Sequence, residues 1–196
     1  MESILTKSEP ANVPSRDAYS LPHLTLVLGG ARSGKSRYAE ALLAGATAAV
    51  YLATAEARDA EMAARIERHR ARRAGQSATA WQTIEEPLAL AARLAEIARP
   101  DRPILVDCLT LWLSNLMLAG RDAAAETAAL VGAVPSLAGR LVLVANEVGL
   151  GIVPDNALAR DFRDHAGMLN QAVAAAADRV VFLAAGLPLV LKEARH

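Results

Sequence analysis

Cysteine occurs once in these 196 residues, as Cys108, so the chain can form no internal disulfide and has no cluster of thiolates to hold a metal. Aromatic side chains make up only 4% of it, and 21 Lys and Arg balance 21 Asp and Glu. Nucleic-acid surfaces need stacking platforms and a basic field, and anionic membranes also need excess positive charge, so neither is expected as a partner. No apolar run reaches the roughly 18 residues that cross a bilayer, because Arg, Asp, Lys or Gly interrupts every candidate. The opening stretch MESILTKSEPANVPSRDAYSLPH lacks the apolar block of a signal peptide and carries Pro10, Pro14 and Pro22. It predicts a loose extension over residues 1–22, ahead of one folded domain over 23–196. A lone thiol fits a reducing, cytoplasmic setting.

Apolar residues, by contrast, are abundant at 53%, enough for one substantial core. They fall into alternating strand and helix patterns. Leu24–Leu28, Ala49–Thr54, Ala80–Ile84, Pro103–Cys108 and Arg140–Ala145 read as strands, the continuous runs suiting a sheet covered on both faces. Helical spacing is expected over Ser36–Ala44, Ala57–Arg73, Pro87–Ala98, Thr110–Leu118, Asp122–Leu137 with an end near Pro135, and Leu158–Ala177. The segments 180–186 and 187–192 predict a closing hairpin around Gly186. Strand–helix alternation implies an α/β fold, with parallel pairing and sites at the carboxyl ends of the strands. Gly29–Ser36, Thr54–Glu56, Asp107 and Asn146–Gly149 then share one rim.

Residues 29–36, GGARSGKS, match the phosphate-binding pattern G-x-x-x-x-G-K-[ST] between a strand and a helix. Backbone N–H groups and the positive end of the helix dipole answer phosphate charge there. Lys35 is expected to reach the β- and γ-phosphates, and Ser36 to ligate Mg²⁺ or a similar divalent ion. Asp107, ending PILVD, is placed either to support that metal or to cap the next helix. Glu85 and Glu147 are rim carboxylates suited to ribose, metal, proton transfer or helix capping. His165 reads as a helix-surface or packing residue, and Trp81 and Trp112 as core or interface aromatics. His23 and His196, at the loose ends, are assigned no role.

His69 stands among Arg65, Arg68, Arg70, Arg72 and Arg73. In a helix Arg65, Arg72 and Arg73 share the histidine's face, where guanidinium charge disfavours imidazolium and keeps a nucleophilic lone pair. Such a histidine can attack an α-phosphate and carry a nucleotidyl group. An Arg-rich run is equally what a solvated helix face looks like, and spacing does not separate the two.

Several separated blocks, GGARSGKSRYAEALL, YLATAEARDAEMAARIERHRARR, WQTIEEP, ILVDCLTLWLSNLM and VANEVGLGIVPDNALARDFRDHAGMLNQAVAAAADRV, resemble one family. They are similar to the bifunctional adenosylcobinamide kinase/adenosylcobinamide-phosphate guanylyltransferases of cobalamin biosynthesis, from about Leu24 to Lys192. The resemblance implies a RecA-like P-loop fold, a homotrimer, and ATP and GTP as co-substrates. It implies phosphorylation of adenosylcobinamide, then GMP transfer through a guanylylated histidine that matches His69. It carries nucleotide-binding roles to Gly30, Ala31, Arg32, Ser33, Gly34, Lys35, Ser36 and Arg37 of the loop, and to Thr54, Ala55 and Glu56 after the second strand. The same holds for Arg70, Ala71, Arg72 and Arg73, and for the carboxylates Glu85 and Asp107. Glu147 is the candidate to orient the acceptor or take its proton. The leader of some twenty residues departs from the family pattern. A one-step small-molecule kinase and a nucleotide-switched assembly module are the alternative readings of the P-loop.

Overall fold

The computed structural model describes residues 21–56 and 79–193. The helix expected over Ala57–Arg73, with His69, Arg70, Ala71, Arg72 and Arg73, lies outside the described residues.

Seven strands form one sheet: β1 (Leu24–Gly29), β2 (Ala48–Ala53), β3 (Ala80–Glu85), β4 (Ile104–Asp107), β5 (Leu141–Asn146), β6 (Arg179–Ala184) and β7 (Leu187–Glu193). Their order is β3-β2-β4-β5-β1-β6-β7, parallel throughout except for the antiparallel β6–β7 hairpin. This is the expected mostly parallel α/β sheet with a C-terminal hairpin, in the RecA-like arrangement that inserts a strand, here β5, between β1 and β4. All six residues of β1 are buried, because the central strand is covered on both faces.

Alternate residues of β1 enter two cores. Leu24, Leu26 and Leu28 pack with Leu94, Trp112, Leu113, Leu169 and Val173. Val27 points the other way, toward Ala39, Leu43, Val142, Val144 and Val181. Helix α1 (Lys35–Leu42) supplies the second layer, while α2 (Leu90–Ile97), α3 (Leu109–Leu118), α4 (Ala123–Ala133) and α5 (Ala157–Ala176) supply the first.

Two helix boundaries have a local cause. Pro87 does not open α2, because the Glu86 carboxylate accepts from the Leu88 and Ala89 N–H groups at 3.1 and 2.7 Å. That holds 86–89 as a turn, and the helix begins at Leu90. The helix expected to end near Pro135 does so: α geometry stops at Ala133, and Val134–Ser136 tighten into a 3₁₀ turn with Pro135 near its start, where the missing N–H costs nothing. At the start of the described residues Leu21 is buried, and His23 docks through Nε2 to the Leu137 carbonyl at 2.8 Å.

Candidate functional site

The P-loop runs from the end of β1 into α1. Gly29 is required by contact rather than by freedom, since a Cβ there would meet the Leu183 carbonyl oxygen and Ser33 Oγ, both at 2.6 Å. Gly34 adopts φ 95° as it turns into α1, a conformation that side chains resist. Helix α1 starts with no side-chain cap and no acid in its first turn, so its N–H groups and dipole face the loop uncompensated.

Lys35 is buried at 7% exposure, with Nζ donating to the Gly30 carbonyl at 2.9 Å. That bond folds the side chain back over its own loop, the place a phosphate would occupy. Ser33 Oγ is buried without a hydrogen-bond partner among the described residues, a group that a phosphate oxygen would satisfy. Ser36 is half-buried in the first turn, while Ala31, Arg32 and Arg37 are exposed around the rim.

The loop is braced from two sides. Glu147 donates its N–H to the Gly29 carbonyl at 3.1 Å, and Gly186, in the β6–β7 turn, donates to the Ser33 carbonyl at 2.9 Å. The Glu147 side chain curls back to accept from the Gly149 N–H at 2.5 Å.

Asp107 ends β4, two strands from β1, its register partner Val144 being in turn the partner of Val27. Two strand spacings put it about 10 Å across the rim from the P-loop strand. Tyr51 donates to its Oδ2 at 2.9 Å, which fixes the carboxylate without neutralising it. Asp107 is not the N-cap of the next helix: Cys108 holds that position in α3, which has no side-chain cap hydrogen bond. Mg²⁺ characteristically takes one or two protein oxygens plus substrate phosphates and water. A hydroxyl at Ser36 and a carboxylate at Asp107 fit that donor set, and the described residues hold no cage of three or more ligands.

Thr54 ties two strand ends together. It is fully buried; its hydroxyl donates to the Cys108 carbonyl at 2.7 Å and receives the Cys108 N–H at 2.9 Å. It pins the end of β2 to the end of β4 and leaves Ala55 and Glu56, both half-buried, as the accessible part of that turn. Glu85 is exposed at the end of β3.

Sequence reasoning missed the amides and hydroxyls behind the rim. Asn115 donates to the Thr54 and Pro87 carbonyls at 2.7 and 3.2 Å. Thr110 receives the Asn146 N–H at 2.6 Å, and Asn170 reaches the Asn146 carbonyl at 3.3 Å. The available signal was a hydroxyl or amide set within each largely apolar helical stretch. Cys108, next to Asp107, is buried; burial first and the Asp107 charge second push its thiol up to about 11, so it is no nucleophile.

A model of the cobinamide kinase/cobinamide phosphate guanyltransferase family matches residues 25–191. The chain belongs to this family. The bifunctional adenosylcobalamin biosynthesis protein CobP of Pseudomonas aeruginosa is 53% identical over 170 residues, covering 85% of this chain and 96% of that protein. CobU of Salmonella typhimurium, named as the same bifunctional protein, is 42% identical over 184 residues, covering 86% and 99%. Among solved structures, a prototypical ATPase from the type III secretion system of pathogenic bacteria superposes with a TM-score of 0.50 at 12% identity. That match covers 86% of this chain but only 56% of the ATPase, and it shows the P-loop fold alone.

Proposed function

We propose that this member of the family carries out both reactions in the family's name on one nucleotide cradle: it phosphorylates adenosylcobinamide with ATP or GTP, then transfers GMP from GTP to the resulting phosphate. The observation that carries this reading is a fully formed P-loop in a chain whose family match runs through all the described strands. In the first reaction the acceptor hydroxyl attacks the γ-phosphorus, the nucleoside diphosphate leaves, and the hydroxyl proton passes to a base, for which Glu147 is the candidate. In the second, a His69 ring nitrogen attacks the α-phosphorus of GTP and pyrophosphate leaves. An oxygen of adenosylcobinamide phosphate then displaces the histidine, giving adenosylcobinamide-GDP and free imidazole.

Lys35 and the first-turn N–H groups of α1 would hold the phosphates, with Gly30, Ala31, Arg32, Ser33, Gly34 and Arg37 shaping the loop around them. Ser36 and Asp107 would hold Mg²⁺, which when bound offsets phosphate charge. Arg70, Ala71, Arg72 and Arg73 would approach the same nucleotide beside His69, and Ala55, Glu56 and Glu85 would line its far side, with Thr54 anchoring that turn. A homotrimer is part of the proposal. Support for association comes from Leu150, Ile152, Val153 and Leu158, a run of aliphatic side chains 59 to 97% exposed, which subunit contact would cover. The cytoplasm is the proposed location.

The test is incubation with α-labelled GTP. Wild-type protein should acquire label that is acid-labile and alkali-stable, as a phosphoramidate is, and mass spectrometry should place it on His69. The His69→Ala variant should lose GMP transfer yet keep most phosphorylation of adenosylcobinamide, whereas Lys35→Ala should lose both. Parallel loss of the two activities in folded His69→Ala protein would sink the division of labour.

A further inference from the structure

A groove of about 400 Å³ lies between α5 and the β6–β7 hairpin, its upper end at Glu147. Two stripes run along α5. Ala166, Leu169, Val173 and Ala177 are buried and pack the helix against the sheet. The adjacent stripe, Gly167, Asn170, Gln171 and Ala174, has the i, i+3, i+4, i+7 spacing of a single face, and all four residues line the groove. A helix face laid over a sheet ordinarily fills the space with large aliphatics. Here it presents two small residues and two primary amides, and a Cβ at Gly167 would meet nothing within 4 Å. Leu28 and Val180 make the opposite wall apolar.

Two of the groove's lining residues adjoin the phosphate loop. Leu28 directly precedes the P-loop, and Glu147, at the groove's end, donates its N–H to the Gly29 carbonyl. A ligand lying here would therefore have one end beside the transferring phosphate. The lining does not suit a second nucleotide: it contains no aromatic ring to stack a base, and its one cation, Lys192, bonds the Ala174 and Ala175 carbonyls at 3.0 and 2.9 Å.

We propose that this groove receives the rim of the corrinoid acceptor, with the aminopropanol arm directed past Glu147 to the P-loop. The inference rests on the functional reading above. A corrin rim alternates methyl groups with primary carboxamides; the exposed Gln171 can exchange paired hydrogen bonds with the latter, while the Asn170 amide is held by the Asn146 carbonyl, and Leu28, Val180 and Ala174 can cover the former. The volume suits one side of so large a molecule and leaves the remainder outside.

Gly167→Leu and Ala174→Leu would fill the groove without breaking the helix, since leucine is a better helix former than glycine and close to alanine. Each should raise the KM for adenosylcobinamide about tenfold or more and leave the KM for ATP within about twofold of wild type. Ala176→Leu, which adds the same bulk at an exposed position of α5, should leave both constants at wild-type values. Circular dichroism verifies that each variant is folded. Wild-type protein that binds ATP but neither binds nor phosphorylates adenosylcobinamide would overturn the functional reading, and the groove assignment with it. Wild-type turnover with an unchanged corrinoid KM in both filled variants would overturn the groove assignment alone. An unchanged KM accompanied by a shift in sedimentation mass would overturn it in favour of a second copy of the chain seated in the groove.

Discussion

Burial and the neighbouring Asp107 charge raise the Cys108 thiol from an ordinary 9 to about 11. Between those values the unfolded chain has released a proton that the native chain retains, so the contribution to stability is fully present below pH 9 and is lost as pH climbs toward 11. Urea midpoints measured from pH 8 to 10.5 should fall more steeply for wild type than for Cys108→Ala, and at pH 8 the thiol should resist alkylation until denaturant is added. Residues whose chemistry depends on a local pattern were legible at this scale: Gly29, Gly34, Lys35 and Ser36 announce themselves by spacing. Thr54 and Asn115 did not, because their partners are backbone groups of segments distant in sequence, Cys108 and Pro87 among them. A hydroxyl at a strand terminus looks the same in sequence whether it faces a ligand or a neighbouring strand.

Among the described helices, α4 has little to hold it by pattern. Its sequence, AAAETAALVGA, buries only Ala123 and Leu130. Its start is fixed by Asp122, whose carboxylate accepts from the Ala124 and Ala125 N–H groups at 2.9 and 3.0 Å. Asp122→Ala should therefore cost about 1 kcal/mol in urea unfolding, the usual loss for an N-cap, with nucleotide affinity unchanged. Continuous apolar runs such as LTLVL and RLVLVA could be read as buried strands because parallel sheets leave little choice at central positions. Helix ends were less legible, since a carboxylate reaching back two or three residues, as at Glu86, moves a start without altering the apolar period. The open stripe on α5 escaped notice for a related reason. Gly167 and Ala174 are compatible with any helix, and only the placement of β6 and β7 beside them makes their size matter.

For the whole molecule, sheet order governs how the site is assembled. The P-loop strand β1 pairs with β5 and β6, both more than a hundred residues further along the chain, so the phosphate cradle depends on long-range closure from both flanks. Such topologies fold slowly, in about milliseconds to seconds. In stopped-flow refolding, binding of a fluorescent GTP analogue should appear together with or after burial of Trp112 in the core, and never before it. Early nucleotide binding would mean that the loop and α1 form a competent site without their neighbours.

The Ser33 carbonyl, at the heart of the phosphate loop, receives its hydrogen bond from Gly186. On the ribosome, a nascent chain displays its nucleotide motif early and lacks this buttress for it until Gly186 has emerged. A translation product halted before the hairpin should therefore carry the signature of a nucleotide enzyme yet grip GTP more weakly than the finished fold, a difference that equilibrium binding to the truncated chain would measure.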